Sequence, residues 1–136
     1  MLGLAHKACM EGYTSYYLCM RDLMEVLQRA KDLNCLGKKL VWMKKPNLVV
    51  IDEVGYEKLK PEQANLFFQL INARYENCST IITTNKPFSK WGEIMADDAI
   101  ATATLDRLLY HSHVIVMKGE SYRLKDKLKT GLNFNE

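Results

Sequence analysis

Proline occurs only three times and glycine seven times in the 136 residues, which excludes a collagen-like repeat and a proline-rich or glycine-rich linker protein. Cysteine occurs four times, as Cys9, Cys19, Cys35 and Cys78. None belongs to a Cys-x-x-Cys pair or stands at zinc-finger spacing from a histidine, so a structural zinc module is excluded. The four thiols lie in apolar or mixed surroundings and are expected to be reduced, as in a cytoplasmic protein. His111 and His113 would share one face of a strand, but no third ligand is near in sequence, so a metal site there has no support. No apolar run approaches the roughly 20 residues that cross a membrane. Met1 to Lys7 has neither a cationic lead nor a long apolar core, so no secretory signal is expected. Charge of one sign is also scarce: 19 Lys and Arg against 16 Asp and Glu leave +3, which permits a nucleic-acid partner without requiring one. What remains, 48% hydrophobic and 26% charged residues, is the composition of one globular domain.

The elements alternate in type. Residues 1–11 are expected to close a helix at Gly12, and Tyr13 to Cys19 reads as a short strand rich in Tyr and Thr. Leu23, Val26, Leu27, Ala30 and Leu33 recur at helical spacing, which predicts an amphipathic helix from Arg21 to Leu33; a shorter helix over Leu36 to Met43 ends before Pro46. Leu48-Val49-Val50-Ile51 is a continuous apolar run, the habit of a parallel strand covered on both faces. Pro61 suits the first turn of the next helix, whose stripe is Ala64, Phe67, Phe68, Ile71 and Tyr75. Ser79 to Thr84 is the next strand, and a short helix covers Phe88 to Met95. Asp97 or Asp98 can cap a helix to Tyr110 that turns Ala101, Leu105, Leu108 and Leu109 inward. Val114 to Met117 is expected to form the last strand, and the tail from Asp126 is polar. This alternation predicts an α/β domain with parallel strands near 13–18, 47–51, 79–84 and 113–117. In such sheets ligands bind at the carboxyl ends of the strands.

Chemistry-bearing residues stand at two such ends. Asp52 and Glu53 follow four apolar residues, and burying them unpaired would be costly, so they belong at an exposed strand tip facing a cation or polar cleft. One carboxylate can hold Mg²⁺ while the next orients an attacking water, although structural strands also end in Asp. Asn85 ends the second strand; its amide can position a water, or it can simply open the turn before Lys86-Pro87. Arg107 lies roughly 130° or more from the centre of the Leu105, Leu108 and Leu109 stripe, so it is expected to face outward, into solvent or toward a neighbouring subunit.

The order of these blocks carries a resemblance. Leu48 to Tyr56 (LVVIDEVGY), Phe67 to Glu76 (FFQLINARYE), Ser79 to Glu93 (STIITTNKPFSKWGE), Leu105 to Leu109 (LDRLL) and Lys118 to Leu124 (KGESYRL) together closely resemble the IstB-like family. Its members are AAA+ ATPases related to the helicase loader DnaC that help insertion sequences transpose. The resemblance covers residues 2–125 and implies a P-loop NTPase (AAA+)-like parallel sheet with helices on both faces. It implies ATP and Mg²⁺ as cofactors, with Asp52 serving the metal through water, Glu53 activating the attacking water and Asn85 sensing the γ-phosphate. Arg107 would act in trans as an arginine finger, and Arg123 would be the sensor 2 arginine. It further implies DNA, a transposase and further copies of the same or an intact family protein as partners, in the cytoplasm and not at a membrane.

One element of that pattern is missing. No glycine begins a G-x-x-x-x-G-K-[ST] motif; at Gly37-Lys38, Asp32 takes the place of the first glycine and Lys39 that of Ser/Thr. Leu2 to Cys9 resembles the later turns of the helix that follows the P-loop. The chain is therefore expected to be an N-terminally shortened form: a partial ATPase domain over 1–125 and a polar tail over 126–136, without the central strand between the sensor 1 strand and the last strand. A non-catalytic interaction module and an inactive gene remnant are the alternatives. Strand edges left at the gap would be prone to association. Lys38, Lys39, Lys44 and Lys45 cluster around Trp42, facing nucleic acid or forming a solvated helix whose Trp42 packs on the domain. Lys125, Lys127 and Lys129 in the tail are equally open.

Overall fold

In the computed structural model, which describes residues 1–119, three strands form one parallel sheet in the order β1–β2–β3. β1 is Ser15–Cys19, β2 Leu48–Val54 and β3 Ser79–Thr84. The helices are α1 (Leu2–Met10), α2 (Met20–Asp32), α3 (Leu36–Met43), α4 (Pro61–Arg74), α5 (Trp91–Met95, entered through a 3₁₀ turn over Phe88–Lys90) and α6 (Asp98–Leu109). Their ends follow local chemistry. Gly12, at φ +88°, turns the chain after α1. The Lys60 N–H donates to Gln63 Oε1 at 2.9 Å at the start of α4, where Pro61 leads. Asp97 accepts from the Ile100 N–H at 2.8 Å and caps α6.

The strand order advances in one direction, so both right-handed crossovers, α2–α3 and α4, fall on the same face of the sheet. There Val49 and Ile51 pack with Leu23, Leu27, Met43, Phe67 and Leu70, all fully buried. Each such side chain contributes on the order of 1.5–3 kcal/mol by leaving water. On the other face α1 sets Ala5 against Leu48 and Val50. β2 is thus covered on both sides, as its unbroken apolar run requires.

The connection from α3 to β2 is anchored by an unexpected residue. Arg74, the last residue of α4, is 1% exposed. Its Nη1 donates to the Met43 carbonyl at 2.6 Å, its Nη2 to the Ser79 carbonyl at 2.6 Å, and both reach the Pro46 carbonyl at 3.2 and 3.3 Å. Its Nε donates to Thr80 Oγ1 at 3.0 Å. Burial lowers its pKa, but a guanidinium stays charged. One side chain therefore ties the end of α3, the turn into β2 and the start of β3.

The expected strand over 113–117 does not form. Val114, Ile115, Val116 and Met117 run without regular pairing and are 56–77% exposed. The reason is pairing: β3 is bonded to β2 only, and no strand among the described residues lies beyond it to which 113–117 could attach. A strand-like sequence without a ladder partner leaves its backbone groups to water. The boundary at 125, the tail over 126–136 and Arg123 lie outside the described residues.

Candidate functional site

β2 and β3 are neighbours and parallel, with Val54 opposite Thr84, so their carboxyl ends form one edge. Leu48, Val50 and Asp52 alternate onto the α1 face of the sheet, and Ile81 and Thr83 do the same on β3. Asp52, half-buried, is held there by three donors. The Thr83 hydroxyl donates to Oδ1, the Glu53 N–H reaches the same oxygen at 3.1 Å, and the Tyr17 hydroxyl donates to Oδ2 at 2.6 Å. The hydrogen bond from Thr83 and then that from Tyr17 keep its pKa below the ordinary carboxylate value, against the smaller opposing effect of burial. Asp52 is therefore a fixed anion at neutral pH.

Glu53 is exposed and has φ +63°, a left-handed conformation that side-chain-bearing residues seldom adopt. It sits in the irregularity between Ile51 and Val54, where the ladder register shifts. Its N–H is taken by Thr83 Oγ1 at 3.0 Å, so a β3 side chain stabilises the bend. Gly55 follows at φ +89°; a Cβ there would come within 2.8 Å of Ile94 Cδ1. The chain can leave the tip this tightly only with glycine at that position.

Asn85, exposed, directly follows Thr84 at this same edge, as the parallel order requires. Arg107 departs from the outward presentation expected of it. It is half-buried: its Nε donates to Asn72 Oδ1 at 2.8 Å, and its guanidinium lies 5.4 Å from the Tyr75 ring centre and 5.9 Å from that of Phe68. Helix periodicity placed it away from the leucines, and the neighbouring α4 supplies a second surface that covers it. Trp42 packs edge-on to Tyr16 at 5.3 Å with Lys39 over its ring at 4.2 Å, which agrees with the packing alternative for that cluster. His111 lies 3.6 Å from Glu76, and among the described residues no group of three His, Cys, Asp or Glu could hold a metal alone.

Sequence reasoning missed Tyr17 and gave Thr83 no role. Thr83 was legible in principle, because it shares strand parity with Ile81 and stands two residues before Asn85. Tyr17 was not, because the β1–β2 register, Tyr17 opposite Val50, is a tertiary fact. Donation to Asp52, then burial and the nearby carboxylate charges, push the Tyr17 pKa up to about 12. A folded-state pKa above the unfolded value of 10.0 means that the neutral phenol stabilises the fold fully below pH 10 and that this contribution is lost as pH rises toward 12. Denaturant melts across that window are expected to give a flatter alkaline limb for Tyr17→Phe than for the parent; equal slopes would show the bond is not formed in solution.

A hard, ionised oxygen donor of this kind fits Mg²⁺, which is usually held by one or two carboxylates together with substrate phosphates. The sheet is parallel and three-stranded, and its acidic tip stands beside a hydroxyl- and amide-bearing tip. Solved structures share this fold. The replication initiator DnaA bound to AMPPCP and single-stranded DNA superposes with a TM-score of 0.66 at 18% identity, over 97% of this chain and 41% of that one. The DnaC helicase loader does so at 0.58 and 19% identity, over 74% of this chain and 61% of that one. The chain belongs to the IstB-like ATP binding protein family, whose pattern matches residues 1–130. It is 46% identical over 126 residues to the protein named as the ATP-binding protein of insertion sequence IS5376 of Geobacillus stearothermophilus, and 43% identical over 131 residues to that of IS21 of Pseudomonas aeruginosa. These alignments take in 93% and 96% of this chain but 50% and 49% of the relatives, so the chain spans about half the length of the curated relatives it matches.

Proposed function

We propose that Asp52, Glu53 and Asn85 form the carboxylate side of an ATP-hydrolysing site in a protein that assists DNA transposition. Asp52 serves Mg²⁺ through water, Glu53 activates the attacking water and Asn85 orients it against the γ-phosphate. Arg107 and Arg123 complete the charge stabilisation, Arg107 on a neighbouring copy's site. DNA, a transposase and further copies of the chain or of intact relatives are the partners. The observation that supports this reading most is the ionised Asp52, fixed beside Glu53 at a tip where β2 and β3 end together.

The phosphate-gripping motif is absent from these 136 residues, and among the described residues β3 pairs with β2 alone and the run 114–117 is exposed. Backbone N–H groups and a lysine supply most of the affinity for a triphosphate. The 136-residue chain is therefore expected not to bind a fluorescent ATP analogue at micromolar concentration, measured by anisotropy on folded protein. Micromolar binding that disappears in Asp52→Ala would mean that the present residues form a competent site without that motif. A second reading is a non-catalytic module that offers its surfaces to intact relatives.

A further inference from the structure

Among the described residues, β1 reaches Asp52 through the Tyr17 hydroxyl. We propose that Tyr17 is a positioning residue of this site: it holds Oδ2 while Thr83 holds Oδ1, so that two flanking strands set the orientation of the carboxylate. The proposal rests on the reading of Asp52 as the metal-serving carboxylate.

Geometry carries the argument. In the β1–β2 register Cys19 stands opposite Asp52 and Tyr17 opposite Val50, two residues back along the strand. That offset is about 6.6 Å of strand rise. A tyrosine can reach across it along the sheet face, whereas serine or threonine at this position would fall short. Ser15, Tyr17 and Cys19 share strand parity, and Ser15 faces α1, donating to the Ala5 carbonyl at 3.2 Å. This is the face on which Leu48 and Val50 meet Ala5, and so the face of Asp52. The alignment of hydroxyl and carboxylate follows from that shared face.

Burial does not force the contact. Tyr17 is 36% exposed, so water could satisfy its hydroxyl equally well. What the bond changes is Asp52. On a strand more than one staggered well of the first side-chain torsion is open to an aspartate, and a carboxylate held at one oxygen can pass between them. Held at both, it presents its remaining lone pairs in one direction. Groups that orient a metal-serving ligand in this way commonly change metal affinity 10–100-fold when removed.

The test uses the full 136-residue chain, isotope-labelled, as the parent, Tyr17→Phe and Thr83→Val. Three-bond couplings to the Asp52 carboxyl carbon report its side-chain rotamer, and thermal melts report the fold. One Asp52 rotamer is expected in the parent and averaged couplings in Tyr17→Phe, which should stay folded but melt somewhat below the parent at pH below 9. Unchanged Asp52 couplings in a folded Tyr17→Phe would overturn the proposal. Mn²⁺ is then added without nucleotide, and its broadening of the Asp52 and Glu53 amides is read. A loss of apparent Mn²⁺ affinity of about tenfold in Tyr17→Phe supports the positioning role toward the metal. Should Mn²⁺ broaden neither amide in the parent, the metal reading of Asp52 fails, and the couplings by themselves still decide whether Tyr17 sets the carboxylate. Thr83→Val separates the two clamps: Asp52 ordering that is lost there and kept in Tyr17→Phe would assign the orientation to Thr83 alone and overturn the proposal.

Discussion

Arg74→Ala is expected to cost the fold about 4 kcal/mol or more, which for a domain of this size lowers the melting temperature by roughly 10–20 °C. The guanidinium serves the carbonyls of Met43, Pro46 and Ser79 and the hydroxyl of Thr80. Removing it leaves those acceptors, buried at Met43 and part-buried at the others, without their donor, at about 1–3 kcal/mol each where water does not enter. Arg74→Lys should recover little, since an ammonium on a thin stem cannot serve acceptors spread over a planar fork. Arg107→Ala is the control. It removes one hydrogen bond and two ring contacts at a half-buried position, and should cost about 1 kcal/mol. Thermal melts of the three variants decide the matter. An Arg74→Ala chain that melts within a few degrees of the parent would mean that water fills the site and that the clamp is dispensable.

The second large effect concerns catalysis. On the proposed reading, a fusion that places a G-x-x-x-x-G-K-[ST] phosphate-binding unit ahead of Met1 is expected to show Mg²⁺-dependent ATP hydrolysis. In that fusion Glu53→Gln should lower kcat by roughly 10²–10⁴ while leaving ATP binding in place, because a general base acts on the transition state and not on the ground state. Asp52→Ala should weaken Mg²⁺-ATP binding as well as hydrolysis. Arg107→Ala should lower kcat by about 10³ or more if it works on a neighbouring copy, and mixing it with the Glu53→Gln protein should restore part of the rate. For that transfer Arg107 must leave Asn72, or act from where Asn72 holds it. A fusion that binds ATP but turns over equally with Glu53 and with Gln at position 53 would exclude the role given to Glu53 and favour the non-catalytic module.

How far the chain could be understood before its structure depended on the range of the interaction. Helical stripes such as Ala64, Phe67 and Ile71, the cap at Asp97 and the apolar run of β2 are local patterns, and each is found where periodicity places it. Covered strands and short helices in alternation imply a parallel sheet, and parallel order implies that Asp52 and Asn85 end at one edge. Three features were beyond sequence reasoning because each depends on what lies across the fold. Val114 to Met117 has the composition of a strand, but a strand exists only where another edge accepts its hydrogen bonds. Arg107 sits on the polar side of its own helix, but α4 covers that side with Asn72, Phe68 and Tyr75. Arg74 looks like any cation at a helix end, where it would favour the dipole from the surface; the convergence of α3, β2 and β3 around it makes it an interior residue. The sequence by itself determined the elements, their order and the acidic strand tip, because these follow from backbone periodicity and the cost of burying charge. Only the tertiary structure decided that Tyr17 and Thr83 hold Asp52 from either side, because that depends on strand register and on the face each side chain shares.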